Sequence, residues 1–163
     1  MLIKLKNKDT LIIDNFNFKC CVGKNGIKRN KIEGDKSTPK GTFNIGLLYY
    51  RNDRIRKPQT KLNSKIIKPN MGWSNNINDK SYNKEINIKK NKGYEKLFRK
   101  DYKYDLFLVV KYNYNKTIRN LGSAIFIHLT KNYKPTAGCI ALKKKDFLIL
   151  IKLIKSKTKI KIY

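Results

Sequence analysis

Histidine and cysteine, the side chains that most often hold metals or cross-link small proteins, are scarce in this sequence. Its 163 residues include a single histidine, His128, and three cysteines, of which Cys20 and Cys21 are adjacent. Adjacent cysteines bridge each other only under strain, so no disulfide framework is expected. One histidine without a Cys-x-x-Cys pair does not supply the usual ligands of a zinc site. We therefore expect no metal or cofactor, and Cys20 and Cys21 are interpreted as small buried side chains.

Acidic residues are also few. The chain has 11 Asp and Glu against 39 Lys and Arg, which gives a formal net charge of +28. A surface of this charge attracts polyanions such as nucleic acids, anionic lipid surfaces and acidic wall polymers. The lysines are spread along the whole chain, however, and no recognisable nucleic-acid-binding motif accompanies them. Nucleic-acid binding is therefore the weaker alternative, and the charge is consistent with a compositional bias toward Lys, Asn, Ile and Tyr.

Long apolar runs are missing as well. The longest is far shorter than the roughly 20 residues that a membrane-spanning helix requires. Segment 1–14 alternates apolar residues with lysine and polar residues, which predicts strands rather than the apolar centre of a signal peptide. These features predict a single domain over residues 1–163, a monomer without a membrane span, and they leave a cytoplasmic location open.

Short segments with alternating or β-branched composition dominate the chain and predict a mainly β fold, a sandwich or a barrel. A packing helix is expected over Lys143–Lys155, where apolar residues recur at helical spacing beside a face of lysines. A second, shorter helix is expected over Tyr94–Arg99, with Glu95 and Arg99 four residues apart and able to pair. The alternation of polar and apolar residues over Thr158–Ile162 predicts a last strand at the edge of the sheet. The other predicted strands are Leu2–Lys6, Thr10–Asp14, Phe16–Val22, Phe43–Tyr50, Leu106–Tyr114 and Ala124–Leu129.

The segment Ser123–Leu142 carries the strongest indication of chemistry. It places His128 near the end of a predicted buried strand and Cys139 eleven residues later, after a short polar loop. Catalysis by cysteine needs this combination of a nearby base and a rigid turn that presents the sulfur. Gly138 has no Cβ, so a substrate carbonyl can approach the backbone N–H groups of the turn. The alternative is a buried structural cysteine beside an unrelated histidine.

Two motifs resemble the L,D-transpeptidase catalytic domain family (YkuD-like). Pro135–Leu142, reading PTAGCIAL, resembles its active-site segment, and Glu33–Phe43, reading EGDKSTPKGTF, is similar to a loop near that site. The resemblance covers nearly the whole chain. Two positions depart from the commonest family pattern, since Ala137 replaces a second histidine and Ala141 replaces a polar residue after the cysteine. His128 is then the only candidate for the general base.

The resemblance implies an acyl transfer on the stem peptides of peptidoglycan, through a thioester on the cysteine and a backbone oxyanion hole. It also implies a location in the cell envelope and a histidine oriented by a backbone carbonyl. In that location, the positive charge of the chain would favour anionic wall polymers as further partners. Two alternatives keep the same fold. The chain is then either a carboxypeptidase-like hydrolase of stem peptides or a noncatalytic domain that binds the cell wall. Trp73 either lines a peptide groove or packs a loop onto the core. The expected catalytic residues are Cys139, His128 and Gly138, and the expected substrate-binding residues are Ala137, Thr136, Lys31, Glu33, Thr38 and Trp73.

Overall fold

Residues 1–88 and 93–163 are described by a computed structural model, and they form fourteen strands and one α-helix. The strands are β1 Leu2–Leu5, β2 Thr10–Ile13, β3 Phe16–Cys21, β4 Ile27–Lys28, β5 Thr38–Pro39, β6 Gly41–Tyr50, β7 Ser64–Ile66, β8 Met71–Ser74, β9 Glu85–Asn87, β10 Tyr94–Lys96, β11 Leu106–Val110, β12 Phe126–Leu129, β13 Ile140–Leu142 and β14 Lys159–Ile162. The helix, α1, spans Lys144–Leu153. The prediction of a mainly β fold with a helix near the C-terminus is confirmed.

The largest sheet closes on itself as a barrel. Its nine strands follow the order β11-β12-β13-β3-β2-β1-β14-β6-β7, and β11 also pairs with β6. Closure depends on β6, whose 10 residues pair with β14 over the first part and with β11 over the remainder. Backbone groups that would lie at an open sheet edge are thereby paired.

Apolar side chains fill the barrel at every second position of its strands. Ile160 and Ile162 on β14 are at most 1% exposed, whereas the lysines beside them face outward. α1 adds Phe147, Leu150 and Ile151 to the same core. Full burial of one such side chain contributes about 2 kcal/mol to folding. No helix of the described residues has the length and apolar character that crossing a membrane demands.

The prediction of a helix over Tyr94–Arg99 is wrong. Its first three residues form β10, which pairs antiparallel with β8. Glu95 accepts a hydrogen bond from Tyr104 instead of pairing with Arg99. Arg99 pairs with Asp101, with 2.6 Å between Nη2 and Oδ2. The four-residue spacing of Glu95 and Arg99 predicts a helix only weakly. In the fold, pairing with β8 satisfies the backbone hydrogen bonds of the segment, so the strand is favoured.

The edge position expected for Thr158–Ile162 is also wrong. β14 lies between β1, to which it is parallel, and β6, to which it is antiparallel. An edge strand and an interior strand with one buried face share the same alternation, so the sequence did not distinguish them.

Two other strands are shorter than expected. β11 ends at Val110 and β12 begins at Phe126. Near these ends, Asn113 and Ala124 have φ of +48° and +51°, which takes the backbone out of the extended region.

An aromatic cluster joins the barrel to a small sheet of β10, β8 and β9. Phe107 stacks on Tyr49 with ring centroids 4.7 Å apart, and Trp73 meets Phe126 edge-on at 5.1 Å. Cys139 belongs to this cluster. The thiol is therefore positioned by rigid aromatic packing on one side.

Candidate active site

Strand pairing brings the predicted base and the predicted nucleophile together. β12 carries His128, and β13 runs parallel beside it and begins immediately after Cys139. Both residues are 7% exposed, and both line one cavity of about 660 Å³. A base and a thiol thus share a pocket large enough to receive part of a peptide.

The imidazole of His128 is oriented by the backbone. Its Nδ1 lies 3.0 Å from the carbonyl oxygen of Leu129, so Nδ1 carries the proton and Nε2 is the basic nitrogen. Burial lowers the pKa of His128 to about 4, the hydrogen bond to Leu129 opposes this shift, and the positive charges of Lys103 and Arg99 add to it. The ring is therefore neutral at neutral pH, and among residues 1–88 and 93–163 it has no carboxylate partner.

The thiol of Cys139 is held between two backbone groups at the start of β12 and just before it. Sγ donates to the carbonyl oxygen of Ala124 at 3.2 Å and accepts from the amide of Phe126 at 3.3 Å. Burial and, to a smaller extent, the negative charge of Glu95 together raise the pKa of Cys139 to about 12. Within residues 1–88 and 93–163, no hydrogen bond joins the thiol to His128. The resting pair is thus a neutral thiol and a neutral imidazole.

The turn before Cys139 is fixed by two hydroxyl groups. Thr136 Oγ1 donates to the Cys139 carbonyl at 2.6 Å and accepts from the Gly138 amide at 3.1 Å. On the other side, Thr38 Oγ1 donates to the Gly138 carbonyl at 2.8 Å. Gly138 has a φ of +142°, and a Cβ there would lie 2.9 Å from the carbonyl oxygen of Ser37. Glycine is therefore required at this position by both conformation and space.

The amide groups of the turn differ in their availability to a ligand. The Gly138 amide already donates to Thr136. The amides of Ala137 and Cys139 make no hydrogen bond within the described part of the chain. All three residues Ala137, Gly138 and Cys139 line the cavity. Two amides without acceptors in the described residues, one on each side of the Gly138 amide, are the kind of donor that a developing oxyanion needs.

Lys31 and Glu33 also line the cavity, but Lys31 has a partner of its own. Its Nζ lies 2.6 Å from a carboxylate oxygen of Asp35, and both side chains are buried. Burial by itself raises the pKa of Asp35, yet the hydrogen bonds from Lys31 and Ser37 lower it well below its usual value. Glu33 accepts a hydrogen bond of 2.5 Å from Tyr82. Glu33 consequently presents a negative charge to the cavity. The positive charge of Lys31 is balanced by Asp35 in the wall of the cavity.

Thr38 and Trp73 lie behind the cavity and are not part of its lining. Thr38 is fully buried and supports Gly138, as described above. Trp73 is 2% exposed, and its Nε1 donates to Oδ1 of Asn83 at 2.9 Å. The tryptophan therefore packs a loop onto the core, which is one of the two roles expected for it.

Sequence reasoning assigned no role to Asn83, which fixes the backbone beside the thiol. Its Oδ1 accepts from Trp73 and also from the amide of Ala124 at 3.1 Å. Ala124 in turn presents its carbonyl to Cys139. Asn83 lies in a segment that resembles the family, but its partner Ala124 is 41 residues away. Spacing along the chain gives no sign of such a contact.

Tyr104 is a second residue whose role the sequence did not indicate. Its buried ring meets that of His128 edge-on, with centroids 5.4 Å apart. Its hydroxyl donates to Glu95 and lies close enough to Cys139 to lower the pKa of the thiol. Tyr104 therefore connects the base, the nucleophile and an acidic side chain of the cavity.

No group of three or more His, Cys, Asp or Glu side chains is arranged to hold a metal ion in the described ranges. The three cysteines Cys20, Cys21 and Cys139 are all free thiols. Burial raises the pKa of Cys20 to about 12 and also raises that of Cys21. Cys20 and Cys21 do not line the cavity, so Cys139 is the thiol placed for chemistry there.

Comparison with known families gives one match. Residues 3–162 match the family model of the L,D-transpeptidase catalytic domain, YkuD. The match extends over nearly the whole chain and includes every residue of the site described above. No curated protein matches the chain at a significant level.

Proposed function

Because the chain belongs to the L,D-transpeptidase catalytic domain family, we propose that it transfers acyl groups of peptidoglycan stem peptides through a thioester on Cys139. The observation that carries the proposal is the shared cavity of Cys139 and His128 on adjacent strands. Cysteine supplies the nucleophile and imidazole the base that such a reaction requires.

In the first half of the reaction, the Cys139 sulfur attacks the carbonyl carbon that links the diamino residue of the stem to its terminal D-alanine. The thiol proton turns from the Ala124 carbonyl to Nε2 of His128. His128 then gives this proton to the nitrogen of D-alanine as the C–N bond breaks. The neutral resting pair supports proton transfer in step with attack, because neither thiolate nor imidazolium is stable in the buried site.

The oxyanion formed by this attack binds the amides of Ala137 and Cys139, which have no acceptor within the described residues. The Gly138 amide is committed to Thr136, so it supports the turn and does not donate to the oxyanion. A donor of this kind contributes about 3 kcal/mol to catalysis in other enzymes. Two such donors without acceptors in the turn that carries Cys139 support acyl transfer over a purely structural role.

In the second half, a primary amine of another stem attacks the thioester carbonyl, the C–S bond breaks, and the amine proton returns through His128 to the sulfur. Water in place of the amine gives hydrolysis and a carboxypeptidase-type product. The cavity accommodates the carboxylates of a stem peptide because Lys36, Lys103 and Lys134 lie in its lining. We place this reaction in the cell envelope, where its substrate is found.

Mass spectrometry of products from a purified stem tetrapeptide tests the proposal. With an amine acceptor present, we expect loss of D-alanine and a cross-linked product. Loss of D-alanine without cross-linking in the presence of acceptor identifies a hydrolase. Absence of both products, together with retained binding of wall fragments, identifies a noncatalytic binding domain and contradicts the proposal. Steeply salt-dependent DNA binding without either reaction favours a nucleic-acid-binding protein.

A further inference from the structure

Two acidic side chains line the active-site cavity, Glu33 and Glu95, and each is held by a tyrosine. Tyr82 donates to Glu33 at 2.5 Å, and Tyr104 donates to Glu95. Both tyrosines are at most 4% exposed, so their hydroxyl groups occupy fixed positions. Burial raises the pKa of Glu95, the hydrogen bond from Tyr104 and the positive charge of Arg99 lower it, and the negative charge of Glu33 raises it further.

These carboxylates have no cationic partner among the described residues, although the chain has 39 Lys and Arg against 11 Asp and Glu. Two cationic side chains of the cavity lining have carboxylate partners of their own. Lys31 pairs with Asp35, and Arg99 pairs with Asp101. A tyrosine hydroxyl orients a carboxylate but does not neutralise it, and the positive charge of Arg99 lowers the pKa of Glu95 without an ion pair between them. Two partly buried carboxylates that line one cavity and form no ion pair within the described residues favour the binding of a cation.

A third polar group of the same wall lacks a partner. Ser123 lines the cavity and is 8% exposed, and its buried hydroxyl oxygen makes no hydrogen bond within residues 1–88 and 93–163. The Ser123 hydroxyl lies near that of Tyr82, whose own hydroxyl donates to Glu33 and accepts from the Gly122 amide. A buried hydroxyl without a partner is costly unless a ligand satisfies it. Ser123 is thus an independent sign that this wall of the cavity receives a polar group.

We propose that Glu33 and Glu95, with Ser123 beside them, bind the primary ammonium group of a stem peptide. The inference rests on the proposed function, because a stem peptide carries a diamino residue. An ammonium group has three donors, which match two carboxylates and one hydroxyl oxygen. The lysines that line the same cavity hold the carboxylates of the peptide, so the two charge types orient it relative to Cys139.

The ammonium group can come from either of two places. It is the side-chain amine of the donor stem, bound while Cys139 is acylated, or the amine of the acceptor stem, bound before it loses a proton and attacks the thioester. The chemistry of recognition is the same in both cases. The two sources differ in which half of the reaction depends on Glu33 and Glu95.

Glu33→Gln and Glu95→Gln test the site, because glutamine keeps the shape and an acceptor for each tyrosine but removes the charge. Glu85→Gln is the matched control, since Glu85 also accepts from a tyrosine, Tyr49 at 2.7 Å, but does not line the cavity. The substrates are a stem tetrapeptide with a free side-chain amine and the same peptide acetylated at that amine. The rate of D-alanine release measures whether the site binds the amine of the donor stem. The ratio of cross-linked to hydrolysed product measures whether it binds the amine of the acceptor stem.

For a donor site, wild type and Glu85→Gln prefer the free-amine donor by about 10-fold in kcat/KM, and both cavity variants lose the preference. For an acceptor site, wild type and the cavity variants alike show no preference for the free-amine donor in D-alanine release, whereas the ratio of cross-linked to hydrolysed product falls by about 10-fold in the cavity variants alone. If neither measurement separates the cavity variants from Glu85→Gln, the inference is overturned.

A binding measurement separates this inference from the proposed function. In the Cys139→Ser background, amide chemical shifts are followed while Nα-acetyl-lysine methylamide is added, with its Nε-acetylated form as the neutral probe. We expect saturable shifts around Ser123 with the charged probe alone, and their loss in Glu33→Gln and Glu95→Gln. If these shifts are seen but the wild-type protein shows no acyl transfer, the ammonium site stands and the proposed transferase activity is rejected. Equal shifts with both probes, or none, reject the ammonium site.

Discussion

The thiol of Cys139 donates a hydrogen bond to the carbonyl oxygen of Ala124, whose backbone has a φ of +51°. An alanine in this region costs about 1 kcal/mol relative to an extended conformation. The conformation turns the carbonyl toward the sulfur, and Asn83 holds it there through the Ala124 amide. The resting thiol is thus held in place by backbone geometry and kept protonated by burial, and the proposed mechanism requires it to exchange the Ala124 carbonyl for His128.

Replacing the nucleophile is the most direct test of the mechanism. Cys139→Ser should lower the rate of D-alanine release by more than about 1000-fold, because a serine hydroxyl is a far weaker nucleophile beside a neutral imidazole. The fold should survive, since the two side chains are nearly isosteric. Steady-state assays and thermal unfolding measure the two effects. Turnover like that of wild type would end the thioester mechanism.

Covalent labelling should be confined to one of the three cysteines. A carbapenem-type acylating agent is expected to add to Cys139, which lines the cavity, and to spare Cys20 and Cys21, which are buried outside it. Intact-mass analysis gives the number of adducts and peptide mapping gives their position. A Cys20→Ser/Cys21→Ser double variant serves as the control and should still take up one equivalent. A label found on Cys20 or Cys21 instead would contradict the assignment of the nucleophile.

Acidification should destabilise the protein partly through His128. Its folded-state pKa of about 4 lies below the unfolded value of 6.5, so between these pH values the unfolded chain binds the extra proton. The free energy of unfolding therefore falls as the pH decreases from 6.5 to 4, by about 3 kcal/mol from this residue. His128→Gln should lose less stability over this interval when both proteins are unfolded by urea at each pH. Parallel pH profiles of the two proteins would show that the imidazole is not held neutral by burial.

Asn83 should matter for both stability and acylation. Asn83→Gly keeps a residue suited to the φ of +58° but removes the acceptor for Trp73 and Ala124. We expect a loss of about 2 kcal/mol or more in the free energy of unfolding, because two buried N–H groups lose their partner. Asn83→Ala should cost about 1 kcal/mol more than Asn83→Gly because of its φ. Both variants should acylate Cys139 more slowly than wild type, measured by the rate of carbapenem labelling, and an unchanged rate would contradict the role given to Ala124.

Gly138→Ala should be more harmful than a glycine replacement that meets only an unfavourable φ. Gly34→Ala provides that comparison, since Gly34 has a φ of +76° and nothing within 4 Å of an added Cβ. Gly138→Ala adds a contact of 2.9 Å with the Ser37 carbonyl oxygen. We expect it to be at least about 1 kcal/mol less stable than Gly34→Ala. Equal stabilities in chemical denaturation would show that the turn relaxes freely around Gly138.

The sequence indicates the chemistry of the site better than its architecture. His128, Gly138 and Cys139 fall within one short segment, so their association follows from local composition. Glu95 and Tyr104 are also near in sequence, but helical spacing concealed the strand that brings Glu95 to the cavity. Contacts between distant segments leave no local pattern, because they depend on which strands pair and in which register.

The position of β14 between β1 and β6 has a consequence for biosynthesis. This strand, Lys159–Ile162, is translated after all the other strands of the barrel. While it is still inside the ribosome, β1 and β6 each expose a row of backbone groups that only β14 can satisfy. Closure of the barrel around the catalytic strands therefore waits until Lys159–Ile162 has left the ribosome, and ribosome-bound chains that end before residue 159 should be susceptible to proteases and open to chaperones.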